Sequence, residues 1–404
     1  MRRTLTGLGV LVVLAAGLPT AASAATAGRV SSMAAWTIQA TPLPRGAANG
    51  YLASMSCTSA AECTAVGSHY QQTGPRNQLR GGALAERWTG GSWRIEPVAS
   101  PPGPNKFVNL SAVSCDTAAS CTAVGNYQDR AGNYFTLAER WNGSGWAIQA
   151  TPTPPGVAFV NLNAVWCASS ASCVAVGYYA TGVTSGAGAA LVERWDGSTW
   201  AIEPAPANPP GSYVTILRAL SCTSAASCTA VGASYATTSP TVRTLSERWD
   251  GNSWTIQPTP MPSGAASAGL GGVSCTSATS CTAVGSYSST PGSGRALAES
   301  WNGSTWTIQP APRGPGPGDP DGGLYAVSCT SADQCTAVGR AGGAALAEQW
   351  NGSTWSVQPT ASPASQKLLY AVSCPLAGTC TATGGITAGT GVPYTHDQPL
   401  AEQK

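Results

Sequence analysis

Charge is scarce in this sequence. Only 9% of its 404 residues are Asp, Glu, Lys or Arg, against about 25% in an average globular domain. Lysine is almost missing, with Lys106, Lys367 and Lys404 the whole set. Twenty basic residues against 18 acidic ones leave a net +2, and loss of Arg2 and Arg3 with a leader would make the remainder formally neutral. Such a chain is a poor nucleic-acid binder, because phosphate neutralisation supplies most of that affinity. Histidine occurs twice, as His69 and His396. Long apolar runs are missing too: residues 8–18 make a stretch of 11, where about 20 are needed to span a bilayer. Hydrophobicity itself is not lacking. At 43% hydrophobic residues with 14 Trp, the chain lies far from a disordered composition.

Residues 1–24 read as a secretory signal peptide. Arg2 and Arg3 supply the positive start, residues 8–18 the apolar stretch, and Ala22-Ser23-Ala24 the small residues of a cleavage site. Residues 25–35 then form a short N-terminal tail and residues 36–404 the folded domain. No Cys precedes Cys57, so a lipid-modified N-terminal Cys is not expected. The reading is a secreted, extracellular monomer with no membrane anchor.

Export places all 14 Cys in an oxidising compartment. They fall into seven pairs of one spacing, Cys-x5-Cys: Cys57 and Cys63, Cys115 and Cys121, Cys167 and Cys173, Cys222 and Cys228, Cys275 and Cys281, Cys329 and Cys335, Cys374 and Cys380. The repetition predicts that each Cys bonds its own neighbour. Metal sites use tighter Cys pairs and often His, and two His cannot serve seven of them.

The Cys pairs recur every 45 to 58 residues, and the surrounding sequence recurs with them. A unit reads Leu-x-Ala-Val-Ser-Cys, five residues, Cys-Thr-Ala-Val-Gly, a variable stretch, Leu-Ala-Glu-Arg-Trp, then Asn-Gly-x-x-Trp-x-Ile-Gln-Pro. These short segments are rich in Val, Ile, Thr and Trp and bounded by Gly, Pro, Asn or Ser, which are strand signals. Each unit therefore predicts four antiparallel strands, A to D, of four to six residues. The five-residue link places the two Cys opposite each other across an A–B hairpin. Tight turns such as Asn142-Gly143 join C to D and set Trp141 opposite Trp146.

The last unit stops at Leu400-Ala401-Glu402-Gln403 without a strand D, while Trp36-Thr37-Ile38-Gln39 is a strand D without a unit. This arrangement predicts an all-β, seven-bladed β-propeller, four strands and one disulfide per blade, its last blade closed by the N-terminal strand.

The units resemble those of kelch and galactose-oxidase-type propellers, which run from a Val-Gly strand end to a Trp and then Pro. They resemble more closely a class of secreted bacterial repeat proteins with Val-Ser-Cys and Glu-Arg-Trp-Asn-Gly units. The resemblance covers residues 36–404, and it differs from kelch in having one Gly (Gly125, Gly177, Gly232) where kelch has two. The hairpin Asp196-Gly197-Ser198-Thr199-Trp200 also resembles the Asp-box of sialidases, with its spacing off by one.

A catalytic group is needed once, whereas Glu86, Glu139, Glu193, Glu247, Glu299, Glu348 and Glu402 recur in every unit, so they read as structure. The Arg after them and the Trp pairs read the same way. What does not repeat is the B–C and D–A connections, which share one face: residues 68–82 in the first unit are 15 long, residues 340–344 in the sixth only five. Variable loops on a rigid scaffold carry binding. The candidate binding residues there are His69, Tyr70, Arg76, Arg80, Tyr127, Arg130, Tyr178, Tyr179, Tyr235, His396 and Asp397. Tyr provides rigid amphipathic contact area. His69, His396 and Asp397 fall in neighbouring units and make one candidate metal set. Asp319 and Asp321 resemble the start of a calcium loop without its later ligands. Trp166 stands where the other units have Ser and is a candidate channel residue. No cofactor is expected.

The expected function is a non-catalytic secreted module binding an extracellular glycan or protein through the loop face. The alternatives are a sialidase-like hydrolase, for which Arg76, Arg80, Arg130, Arg218, Arg243 and Arg295 would have to converge, or a passive structural protein. Copper oxidation of the galactose oxidase kind needs a free Cys, and here every Cys is paired.

Overall fold

A computed structural model of the chain describes residues 35–73, 78–182, 187–236, 241–290, 294–311, 322–361, 367–386 and 398–404. Every regular element among them is a β-strand. The strands form five four-stranded antiparallel sheets and one eight-stranded sheet. The latter is two consecutive units touching through a single parallel bridge, Gly81 to Phe107, so the strands group into seven four-stranded units. In the second unit, strand A is Asn105–Thr117, B is Ser120–Asp129, C is Tyr134–Trp141 and D is Trp146–Gln149. The last unit takes its fourth strand from Thr37–Gln39, antiparallel to Gln398–Gln403, with Thr37 opposite Gln403.

All seven Cys-x5-Cys disulfides form, and in the second unit Cys115 faces Cys121 with Cα atoms 4.0 Å apart. Strands A and B run well beyond the expected four to six residues, to 13 and 10 in the second unit. The Val-Gly pair is accordingly the middle of strand B, not its end. Its Gly is needed for close approach: a Cβ on Gly125 would lie 2.0 Å from the Asn109 carbonyl oxygen. Opposite it, strand A carries a bulge, the register shifting between Leu110 and Ala112. The bulge recurs in every unit.

Each word of the repeat reaches into the next unit. The Ser before the first Cys accepts the backbone N–H of the following unit's first Cys: Cys115 to Ser56, Cys167 to Ser114, Cys275 to Ser221, Cys329 to Ser274, Cys374 to Ser328, and Cys57 to Ser373, all at 2.9–3.1 Å. The missing link is at Trp166, whose side chain packs instead against the core of the fourth unit. The Arg of Glu-Arg-Trp donates to the next A–B turn, as Arg87 to the Ala118 carbonyl at 2.9 Å, and lies over the next Trp, 4.9 Å from the Trp141 ring centre. Three strand-D Gln accept from the next strand-D indole, Gln39 from Trp93 at 2.8 Å, Gln149 from Trp200 at 3.0 Å and Gln309 from Trp355 at 3.0 Å. Strand A of each unit packs on strand A of the next, and strand A of the last unit on that of the first. The buried Leu of strand A (Leu52, Leu110, Leu162, Leu217, Leu270, Leu324, Leu369) fills the core between neighbours.

C–D and A–B turns share one face, where a Cβ on Gly143 would lie 3.3 Å from the Ala119 side chain. Gly143 has φ of 93° there, a conformation glycine adopts without strain. On the other face, the D–A connection meets the end of strand B, Ala48 N–H donating to the Tyr70 carbonyl at 2.8 Å.

Candidate functional site

The recurring carboxyls do not make a reactive centre. Glu86, Glu139, Glu193, Glu247, Glu299, Glu348 and Glu402 are 0–1% exposed, one per unit. Burial pushes Glu86, Glu193, Glu247, Glu299 and Glu348 up to about 8. Glu139 rises only to about 7, because the Ala99 N–H donates to its Oε2 at 3.0 Å. Glu402 receives the equivalent bond from Ala361 at 3.3 Å. Ala99 and Ala361 each stand six residues after a strand-D Trp, and at that place the other five tails have Pro42, Pro152, Pro206, Pro260 and Pro312. Proline has no N–H to give. Both oxygens of Glu86, Glu193, Glu299 and Glu348 accordingly lack a hydrogen-bond partner.

Chemistry that differs between units gathers at the bulge. The residue left unpaired there is Ala53, Ser111, Asn163, Arg218, Gly271, Tyr325 and Tyr370 in the seven units in turn. Five of these, Ala53, Arg218, Gly271, Tyr325 and Tyr370, join Tyr51 around a cavity of about 370 Å³ among the strands A. Its aromatic wall is continuous, with Tyr51 and Tyr370 ring centres 6.0 Å apart and Tyr325 and Tyr370 5.8 Å apart. Burial first, then neighbouring tyrosines, raises the Tyr51 and Tyr370 hydroxyls above the ordinary phenol range. They stay neutral and can donate or accept.

The first four units supply a polar arc. Ser68 donates to Asn109 Oδ1 at 2.6 Å, Asn109 Nδ2 to Ser111 at 2.8 Å, and Ser111 to Asn161 Oδ1 at 3.3 Å. Asn161 donates to Asn163, and Asn163 Nδ2 to the Leu217 carbonyl at 2.6 Å.

Arg218 follows at the end of that arc. It is exposed, and its Nη2 donates to the Tyr235 hydroxyl at 2.7 Å. A second cavity of about 290 Å³ shares Arg218 as a wall residue, with Tyr235, Ser267, Gly269, Ser286 and Ser288. Gly269 makes room, since a Cβ there would lie 3.2 Å from Arg218 Nη1. Burial raises the Tyr178 hydroxyl, with Tyr235 adding to the rise and Arg218 opposing it, so Tyr178, Tyr235 and Arg218 are neighbours. An aromatic path runs back from Tyr178 through Phe159 and Tyr134 to Phe107, at centre distances of 5.3, 4.7 and 5.6 Å.

Of the residues singled out in the sequence, Tyr178 and Tyr235 join this site. Tyr179 is half-buried beside Tyr178 on the same strand, Ser172–Ala180. His69 and Tyr70 belong to strand Glu62–Thr73, not to a loop. The His69 ring lies on Gly82, where a Cβ would fall 2.4 Å from its Cε1, and burial lowers its pKa against a raising backbone bond at Ala83. Tyr70 neighbours Tyr51. Tyr127 stacks on Phe135 at 5.0 Å. Arg80 and Arg130 are exposed. Among the arginines of the hydrolase reading, Arg218 alone lines either cavity. Arg76, His396 and Asp397, with Asp319 and Asp321, lie outside the described residues. Among the described residues no three His, Cys, Asp or Glu group as metal ligands.

Sequence patterning passes over the residues that matter most. Tyr51, Asn109, Asn161, Asn163, Tyr325 and Tyr370 lie inside strand A, among invariant neighbours. The usable signal is a column of the repeat that refuses to repeat.

No protein-family model and no curated protein matches the chain. Solved structures do. A YCF48 structure, "YCF48 bound to D1 peptide", has a TM-score of 0.54 at 12% identity, over 92% of this chain and 96% of its own. The WD40 repeats of RRP9 give 0.53 at 8% identity, over 91% and 97%. A polysaccharide lyase of family PL25, an ulvan lyase, gives 0.54 at 9% identity, over 88% and 94%. At these identities the likeness is one of fold, and with the repeated four-stranded sheets it places the chain among the β-propellers.

Proposed function

We propose that the chain is a seven-bladed propeller, closed as a ring by the strand Thr37–Gln39, and that it is exported to act as a non-catalytic binding module. Its partner is an extracellular glycan or an extended protein segment, held where the strands A meet on the face of the B–C and D–A connections. One observation carries the reading: the non-repeating residues Arg218, Tyr325 and Tyr370, with Tyr51, converge on one cavity, although they come from separate units of a chain that elsewhere repeats itself. Packing alone would have made that column as uniform as the Leu beside it. Neutral tyrosines, side-chain amides and hydroxyls hold polar ligands without driving chemistry, and the acids of the repeat are sealed between units. Seven disulfides suit an oxidising compartment.

The test is a glycan array and an extracellular peptide array, each probed with residues 25–404 and with Tyr325→Ala and Tyr370→Ala. Binding by the parent and its loss in both variants, with melting temperatures near the parent's, is the expected outcome. Arrays that stay blank for the parent would remove the reading.

A further inference from the structure

We infer that the ligand is an acidic saccharide, and that Arg218 with Tyr235 takes its carboxylate; this rests on the binding role proposed above. Arg218 occupies a position where six units have Ala, Ser, Asn, Gly or Tyr, so the fold does not require a cation there. Among the described residues, the ion pairs are Arg87 with Glu62 and Arg194 with Glu203. Arg218 therefore stands exposed without a carboxylate partner, beside two cavities, whereas Arg87, Arg140 and Arg248 each donate to the next unit's A–B turn. Its one side-chain bond, to Tyr235, leaves most of its five N–H donors uncommitted. The Tyr235 oxygen accepts that bond and keeps its own hydrogen to donate. A guanidinium and a phenol converging in this way fit the two oxygens of a carboxylate.

The flanks decide what carries the carboxylate. On one side lie the faces of Tyr51, Tyr325 and Tyr370, on the other the serine-lined cavity of Ser267, Ser286 and Ser288. Aromatic faces beside hydroxyls that both donate and accept suit a sugar ring, apolar on its faces and hydroxylated at its edge. A peptide interface centres its anchors in well-packed, fully desolvated pockets, whereas Arg218 is exposed here. A densely charged polyanion would ask for several cations, and the two cavities share a single one, Arg218, among their lining residues. A saccharide that sets a single uronic acid carboxylate on Arg218 meets these conditions, with one ring on the tyrosines and its neighbour among the serines.

The experiment is calorimetric titration of residues 25–404 with an oligogalacturonate, with the same oligosaccharide after its carboxyls are reduced to alcohols, and with a peptide bearing a free C-terminal carboxylate. Arg218→Gln and Arg218→Lys are compared; both alter an exposed side chain, and their melting temperatures verify the fold. The oligogalacturonate is expected to bind, about tenfold weaker to Arg218→Gln and less so to Arg218→Lys. The reduced oligosaccharide should bind all three proteins with the weaker affinity. Equal binding of acidic and reduced forms, unmoved by Arg218→Gln, overturns the carboxylate assignment while the binding module stands. Arg218-dependent binding of the peptide in place of either saccharide overturns the saccharide assignment alone. If none of the probes binds any protein, the acidic-saccharide assignment falls, and the arrays decide the binding role separately.

Discussion

A buried carboxyl that finds a donor keeps its proton less tightly than one that finds none, and this repeat contains sites with and without a donor. The choice turns on one residue in the preceding tail: Ala99 for Glu139 and Ala361 for Glu402 supply an N–H, whereas proline in the other five supplies none. Burial then holds Glu86, Glu193, Glu247, Glu299 and Glu348 near about 8, above the ordinary 4.5. Between these values the native state binds protons that the unfolded chain has released, so stability falls as pH rises. The contribution is complete below about pH 4.5 and is lost on passing through pH 8. Each tenfold gain in proton affinity on folding is worth about 1.4 kcal/mol. The melting temperature is therefore expected to be higher at pH 5 than at pH 9, the reverse of acid-labile proteins. Glu193→Gln should flatten the profile by one group's share, and Ala99→Pro should steepen it by freeing Glu139 of its donor. A melting temperature that climbs steadily from pH 5 to pH 9 would contradict this account.

At the scale of the strand, the Val-Gly pair and the bulge are one device. Gly125 lets the strand-A backbone press against strand B, with the Asn109 oxygen where a Cβ would stand, and the register shift between Leu110 and Ala112 turns one residue out of the ladder. Gly125→Ala sets a methyl carbon against backbone that no rotamer change can move. The expected cost is at least the roughly 1–3 kcal/mol of an overpacked core, read as a lower denaturation midpoint, whereas Gly145→Ala, which meets nothing within 4 Å, should leave it near the parent's. The disulfides, the C–D turns and the facing Trp are legible in the sequence, because each is a fixed residue type at a fixed spacing. The bulge is otherwise. It is a backbone event, and the residues it presents share no chemistry, from Gly271 to Arg218, so the column looks like noise between Leu and Ala-Val. Loop length is the more visible variation, and it points elsewhere. In the structure His69, Tyr70, Tyr127, Tyr178 and Tyr235 stand on extended B strands, and of these Tyr235 lines a cavity, with Tyr178 its neighbour.

Across the whole molecule, the Ser, Arg and Gln of the repeat are the residues that link one unit to the next, and the links return to the start. The Cys57 N–H donates to Ser373, Trp93 donates to Gln39, and Thr37 pairs with Gln403. The first two bonds also join units that are adjacent in sequence, and the third is the C–D pairing found inside the other units, so the join between the ends uses no special chemistry. That economy is why the pairing of the two end strands is readable from an orphan Trp-Thr-Ile-Gln segment alone. It also fixes what the segment is worth. Trp36 is 3% exposed in the core of the last unit, so Trp36→Ala should cost about 3–5 kcal/mol. Deleting residues 25–40 removes that side chain and leaves the edge of strand Gln398–Gln403 unpaired, a template for pairing with another chain. The truncated protein is expected to melt well below residues 25–404 and to associate as concentration rises, as followed by calorimetry and light scattering. Adding a synthetic peptide of residues 35–42 should restore part of the melting temperature, since it returns the missing strand without the covalent link. A truncated protein that melts with the parent and stays monomeric would mean that the seventh unit holds without its borrowed strand.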